Sequence, residues 1–77
     1  MSMVKDVYSW RVEWKCDRHP NEFKPFCKFK EYPSEALSSY EDCLKRPGCI
    51  EARIVERLTR TRQAERIIDA ADLKGRI

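Results

Sequence analysis

Residues 8–16 read YSWRVEWKC, and apolar and polar side chains alternate at every position of this run. A period of two is that of a β-strand with one face buried and the other in solvent. The apolar face carries Tyr8, Trp10, Val12, Trp14 and Cys16. The rest of the chain must cover a face this apolar, and that requirement constrains the fold more than any other feature of the sequence.

The chain has 77 residues, which is enough for one domain with a thin core. Charged residues make up 38% and hydrophobic residues 42%, a balance that favours a small folded domain over a disordered chain. So small a core leaves little room for a substrate cavity. The sequence also lacks phosphate-binding, dinucleotide-binding, zinc-protease and serine-nucleophile motifs, so we expect a protein that is not an enzyme.

A second strand is predicted over residues 26–32, after a polar turn, and would form a hairpin with the first strand. Opposing Trp14 with Phe29 would also oppose Cys16 with Cys27. This register predicts that the inward side of the hairpin is aromatic.

An amphipathic helix is predicted next, ending near Arg46 before Pro47 and Gly48. Ser34 is the expected N-cap. The apolar stripe of the helix, which would cover the hairpin, consists of Ala36, Leu37, Tyr40, Cys43 and Leu44.

The segment 49–61 fits either a strand or a helix, and its β-branched pair Ile54-Val55 favours a third strand. The tail from residue 62 to residue 74 has apolar residues at helical spacing and is predicted to be a second, shorter helix. The sequence thus predicts an α+β fold with a β-hairpin, a covering helix and a third antiparallel strand (ββαβ). Residues 1–61 would form this domain and residues 62–77 a C-terminal helical extension.

Three segments together resemble small, mostly uncharacterised ββαβ accessory proteins of tailed phages and prophages. These segments are residues 10–14, 26–29 and 51–57, with the sequences WRVEW, FCKF and EARIVER. The resemblance covers about residues 8–61 and supports the strand interpretation of residues 49–61. It implies a phage accessory protein and assigns no functional residue.

The four cysteines and the single histidine suggest a zinc site, because thiolate and imidazole are the ligands of structural zinc. Its members would be Cys16, His19 and Cys27. A Cys/His nucleophilic pair is the catalytic version of the same residues. The alternative is that the cysteines are reduced and mostly buried as small apolar side chains, without a cofactor.

The outward face of the predicted sheet is basic and partly aromatic. We predict a binding site there, formed by Arg11, Phe26, Lys28, Lys30, Tyr32, Arg53 and Arg57. Such a face suits an acidic protein partner, or single-stranded nucleic acid bound by stacking and phosphate contacts. It would otherwise be a solvated face with cross-strand ion pairs, or one covered by the tail or by a second copy in a homodimer.

No signal peptide or membrane span is evident, so we expect a cytoplasmic protein without a membrane partner, located in the host cytoplasm if a phage encodes it. The function that we expect is non-enzymatic binding of a host macromolecule, most simply a host protein, as an inhibitor of the anti-defence type. The alternatives are a small nucleic-acid-binding regulator and an adaptor held together by zinc.

Overall fold

The computed structural model describes residues 7–59 and 63–77, and over these residues the chain has an α+β fold with an antiparallel four-stranded sheet and two short helices. The elements in chain order are β1 (Val7–Cys16), β2 (His19–Pro25), α1 (Pro33–Leu44), β3 (Cys49–Thr59), β4 (Gln63–Ile68) and α2 (Ala70–Lys74). The strands lie in the order β2-β1-β3-β4, and α1 packs across β1 and β3. The predicted α+β class is confirmed. The predicted ββαβ arrangement has three strands, whereas the structure has a fourth strand, β4, after β3.

The alternating run at the start of the chain forms β1, as predicted, and occupies the interior of the sheet. Trp10 and Val12 are buried on the side that α1 covers. The segment after residue 48 is a strand, as predicted: β3 pairs along β1, with Val12 opposite Ile54. Residues 60 and 61 lie outside the described part of the chain.

The second strand is not where the sequence predicted it. It begins at His19, directly opposite Cys16, after a turn of only two residues. Residues 26–32 instead follow the edge of β1 irregularly and pair with it at one isolated bridge, between Trp10 and Lys30. The predicted register was therefore wrong, because the shortest connection satisfies the backbone groups of β1 at the least cost in chain entropy.

A close approach between two loops fixes this tight turn. The backbone N–H of Asp17 donates to the carbonyl of Gly48 at 2.9 Å. Gly48 has a φ of +82°, and a Cβ at this position would lie 2.7 Å from a carboxylate oxygen of Asp17. Glycine is therefore favoured here for its backbone conformation. The Asp17 carboxylate, at the end of an exposed side chain, would also have to move aside for a Cβ.

Helix α1 begins two residues earlier than predicted. Its N-cap is Tyr32, whose extended backbone (φ −116°, ψ 131°) is the conformation that a following proline imposes. Pro33 occupies the first turn, so the prediction of Ser34 as the N-cap was wrong. Leu44 was expected to cover the sheet, but it ends the helix and is 52% exposed.

The tail prediction was wrong for residues 63–68, which form a strand rather than a helix. β4 pairs with the free edge of β3, with Val55 opposite Ile67. This pairing satisfies backbone groups of β3 that a helix would leave to solvent. Ile68 of β4 and Leu73 of α2 join the core around Trp10. Among the described residues, no helix combines the length and the apolar character needed to cross a bilayer.

Candidate binding face

The sheet has one face that no helix of the described chain covers. Side chains alternate along a strand, so the residues flanking Trp10 and Val12 point away from α1. Strand pairing sets Glu13 beside Arg53 on this side of the sheet. We call this surface the open face and define it by Arg11, Glu13, Lys15, Phe23, Phe29, Glu51, Arg53, Val55, Arg57, Glu65 and Ile67.

Glu13 organises the centre of the open face. One carboxylate oxygen accepts hydrogen bonds from Nε and Nη2 of Arg53 at 2.9 and 2.7 Å, and the other accepts from Nη2 of Arg11. Glu13 is only 7% exposed. Burial opposes its ionisation, but the hydrogen bonds from Arg53 and Arg11 prevail and lower the pKa of Glu13 below its ordinary value. Glu13 is therefore an anion at neutral pH and holds both guanidinium groups in place.

Two phenylalanine rings make cation–π contacts with the arginines of the open face. The guanidinium carbon of Arg57 lies 3.5 Å from the centroid of Phe29, and that of Arg11 lies 4.5 Å from it. Phe23 receives Arg53 at 3.9 Å in the same way. Cation–π contacts of this length restrict the side chains that make them. The open face therefore presents arginines whose conformations are largely fixed before any partner binds.

The charges of the open face nearly cancel. Four basic residues, Arg11, Lys15, Arg53 and Arg57, stand with the three acidic residues Glu13, Glu51 and Glu65. The excess is 4 − 3 = +1. The strands predicted from the sequence would have placed six basic and two acidic residues on this face, an excess of 6 − 2 = +4. The excess fell because residues 26–32 do not form the predicted strand and because β4 adds Glu65, which lies 3.7 Å from Arg57.

A hydrophobic residue completes the surface on its β4 side. Ile67 is 59% exposed, and it lines a shallow depression of about 170 Å³. The other residues that line this depression are Glu13, Arg53, Val55, Glu65 and Arg66. The open face thus combines fixed arginines, aromatic rings and an exposed aliphatic side chain.

The structure brings together three of the seven residues predicted to bind a partner: Arg11, Arg53 and Arg57. Lys28 is exposed in the irregular segment after β2, and Lys30 is held by its backbone bridge to β1. Tyr32 caps α1.

Phe26 was predicted to lie on the outward face, but its ring packs against Trp14 and Arg46 instead. Its ring meets Trp14 edge-on at 5.3 Å, and Arg46 lies 5.6 Å from its centroid. Phe23 and Phe29, by contrast, were missed as site residues. Their positions depend on the register of β2, which the two-residue turn sets and local periodicity does not report.

A second buried carboxylate, Glu56, lies on the side of the sheet that faces α1. It accepts hydrogen bonds from the indole N–H of Trp10 at 3.1 Å, from Nε of Arg66 at 2.7 Å and from Arg76. Burial disfavours its charge, but the bonds from Arg66 and Trp10 prevail and lower its pKa. Glu56 joins β1, β3, β4 and the end of the chain, and we assign it a structural role.

All four cysteines are free thiols. The structure does not bring the three residues predicted to bind zinc together as a metal site. Cys27 accepts a hydrogen bond from the backbone N–H of Val12 through its sulfur at 3.5 Å. Cys16 lies opposite His19 on one side and opposite Cys49 on the other. Within residues 7–59 and 63–77, no group of three potential ligands is arranged to hold a metal, so Cys16, His19 and Cys27 do not converge on one.

Comparison of the chain with protein-family models, with curated proteins and with solved structures gave no match.

Proposed function

We propose that this protein is a small, non-enzymatic binding module whose open face binds an acidic surface of a partner protein. The narrower form of the proposal follows from the sequence resemblance: a phage accessory protein that inhibits a host protein, as anti-defence proteins do. The observation that carries the proposal is the set of arginines fixed against Phe23, Phe29 and Glu13.

Preorganisation is the physical advantage of this arrangement. Ordering a flexible side chain at an interface costs roughly 0.5–1.5 kcal/mol, and the stacked arginines have met much of that cost on folding. Arg53 uses Nε and one Nη to bind Glu13. A guanidinium has five N–H donors in a planar fork, so the remaining donors suit the carboxylates of a partner.

The composition of the open face favours protein over nucleic acid. Arginine and aromatic residues are enriched at protein interfaces, and exposed Ile67 offers apolar area beside them. A net charge of +1 is small for a surface that must neutralise several phosphates.

One observation supports nucleic acid as the second candidate. Guanidinium planes that lie over phenyl rings, as Arg57 lies over Phe29, are surfaces on which unpaired bases stack.

Two isoleucines of nearly equal exposure provide a matched test. Ile67 is 59% exposed on the open face, and Ile50 is 58% exposed outside it. Tagged wild-type protein, Ile67→Glu and Ile50→Glu would each be used to capture partners from a host lysate, with quantitative mass spectrometry and with or without nuclease. We expect Ile67→Glu to lose the captured protein at least tenfold and Ile50→Glu to retain it.

Two outcomes would distinguish the alternatives, and one control applies to both variants. Equal capture by the two variants would contradict the assignment of the open face. Nuclease-sensitive capture, with an affinity that falls steeply with salt, would favour the nucleic-acid candidate. Melting temperatures close to that of the wild type are required of both variants, since both side chains project into solvent.

A further inference from the structure

We propose that Cys16 and Cys49 form an intramolecular disulfide when the folded protein meets a hydroperoxide. The proposal concerns a modification site at the end of the sheet. It does not depend on the function proposed for the open face.

The sheet register supplies the geometry. Cys16, the last residue of β1, is the direct ladder partner of Cys49, the first residue of β3. Directly opposed residues of antiparallel strands have Cα atoms about 4.5–5.5 Å apart, and disulfides span Cα separations of about 4.4–6.8 Å. The ladder has an irregularity between Lys15 and Cys16, so the strands are not held there by a regular run of pairs. Small adjustments of the two sulfurs are consequently easier at this end than at the centre of the sheet.

The difference in solvent exposure between the two thiols determines which one reacts first. Cys49 is partly exposed, whereas Cys16 is buried. A hydroperoxide in solvent therefore reaches Cys49 first, and Cys16 stands ready as the resolving thiol.

The other two cysteines are poorer partners. Cys43 is completely buried, and burial together with the neighbouring Cys49 raises the pKa of its thiol to about 12. It therefore remains protonated at neutral pH, and a protonated thiol is a weak nucleophile, although Cys43 lies next to Cys49. Cys27 is held on the edge of β1 by its hydrogen bond from Val12.

The chemistry balances with one hydroperoxide. The thiolate of Cys49 attacks the peroxide oxygen, the O–O bond breaks, and a sulfenic acid and hydroxide (or alkoxide) result. The thiol of Cys16 then attacks the sulfenic sulfur, an S–S bond forms and water leaves with the proton. Two thiols lose two electrons in all, and the hydroperoxide gains them. A dithiol reductant reverses the reaction by exchange.

Peptide mapping under non-reducing conditions tests the proposal on the wild-type chain. Trypsin spares Lys-Pro and Arg-Pro bonds, so it places the four cysteines on separate peptides: 16–18, 19–28, 31–45 and 46–53. Dilute folded protein would be treated with a small excess of hydrogen peroxide, blocked with an alkylating agent and digested. We expect peptide 16–18 linked to peptide 46–53, loss of two free thiols, and recovery of both with dithiothreitol.

Variants supply the control. Cys27→Ala should still form the linkage, whereas Cys49→Ser should leave all its remaining thiols free under the same treatment. A linkage that involves peptide 31–45 or 19–28, a disulfide between two chains, or sulfinic acid at Cys49 without any linkage would overturn the proposal. Because the wild-type map is decisive alone, a variant that fails to fold does not weaken the test.

Discussion

Replacing Glu13 with Gln tests whether one buried carboxylate organises the open face. The substitution preserves size and shape but removes the charge that binds Arg11 and Arg53. The carboxylate receives three hydrogen bonds from these two guanidinium groups. Hydrogen bonds to charged groups contribute roughly 1.5–3 kcal/mol each, and an amide can replace only part of them because its NH2 group faces donors.

We expect the free energy of unfolding to fall by about 2–3 kcal/mol. This is smaller than the roughly 3–5 kcal/mol for breaking a fully buried pair, because both arginines keep some contact with solvent and regain hydration. A chain of 77 residues has a total stability of about 4–12 kcal/mol. The loss should therefore lower the melting temperature by about 10–20 °C, which thermal and urea denaturation followed by circular dichroism would measure.

The pH dependence of this effect has a definite sign. The pKa of Glu13 is lowered in the folded state, so its ion pairs stabilise the fold fully above the ordinary carboxyl pKa. That contribution is lost as pH falls through the folded-state pKa. The stability difference between wild type and Glu13→Gln should thus be constant near neutral pH and narrow below about pH 4.

The control is Glu51→Gln, which removes a largely exposed carboxylate 3.6 Å from Lys15 on the same face. We expect this change to cost at most about 0.5 kcal/mol. Equal losses for the two variants, or a difference from wild type that does not narrow in acid, would refute the role assigned to Glu13.

Three further predictions concern the core, the turn and the thiols. Trp10→Phe should cost about 1–3 kcal/mol in urea denaturation, because buried Glu56 loses the indole N–H donor; an unchanged unfolding midpoint would contradict this. Gly48→Ala should cost about 1–3 kcal/mol, because its positive φ and the nearby Asp17 carboxylate both oppose a Cβ; a melting temperature equal to that of the wild type would count against this account of the turn. In the folded, reduced protein Cys43 should react with iodoacetamide only after denaturation, since burial raises its pKa to about 12; rapid labelling under native conditions would show that the helix end opens.

The sequence predicted the elements whose side chains pack on a large apolar surface. In β1, Trp10 and Val12 are buried at alternate positions, so the period of two is visible without knowledge of any partner. In β3 the buried residues Ile54, Val55 and Glu56 are consecutive, and the β-branched pair rather than a period of two favoured the strand. α1 was recognised through its stripe at helical spacing. Because alternation also assigns the opposite face, Arg11, Arg53 and Arg57 were correctly predicted to share one surface.

The edge strands were not predictable in this way. β2 is mostly exposed, and Phe23 is the one apolar residue other than proline in its HPNEFKP sequence, so it has no apolar pattern to read. The second strand was instead predicted over residues 26–32, because that segment is more apolar. In β4, neighbouring isoleucines point to opposite faces, with Ile68 buried and Ile67 exposed, and so short a run fits helical spacing equally well. The positions of Phe23 and Phe29 depend on the register of β2 and on the path of the chain after it, which the local apolar pattern does not report.

The burial of Glu13 changes how the open face can be probed. From the sequence, Lys28 and Arg53 are solvent-facing cations, and their joint reversal to Glu was expected to abolish binding with little change in melting temperature. In the structure, Arg53→Glu would place a second carboxylate beside Glu13, which is 7% exposed and already needs two guanidinium groups to remain charged. Like charges in a partly buried site raise carboxyl pKa values and destabilise the fold. Loss of binding in that variant would therefore report unfolding as readily as a lost contact. Ile67 makes none of the hydrogen bonds to Glu13 and is 59% exposed, so its substitution disturbs the fold less than that of Arg53, and its measured melting temperature separates lost recognition from lost stability.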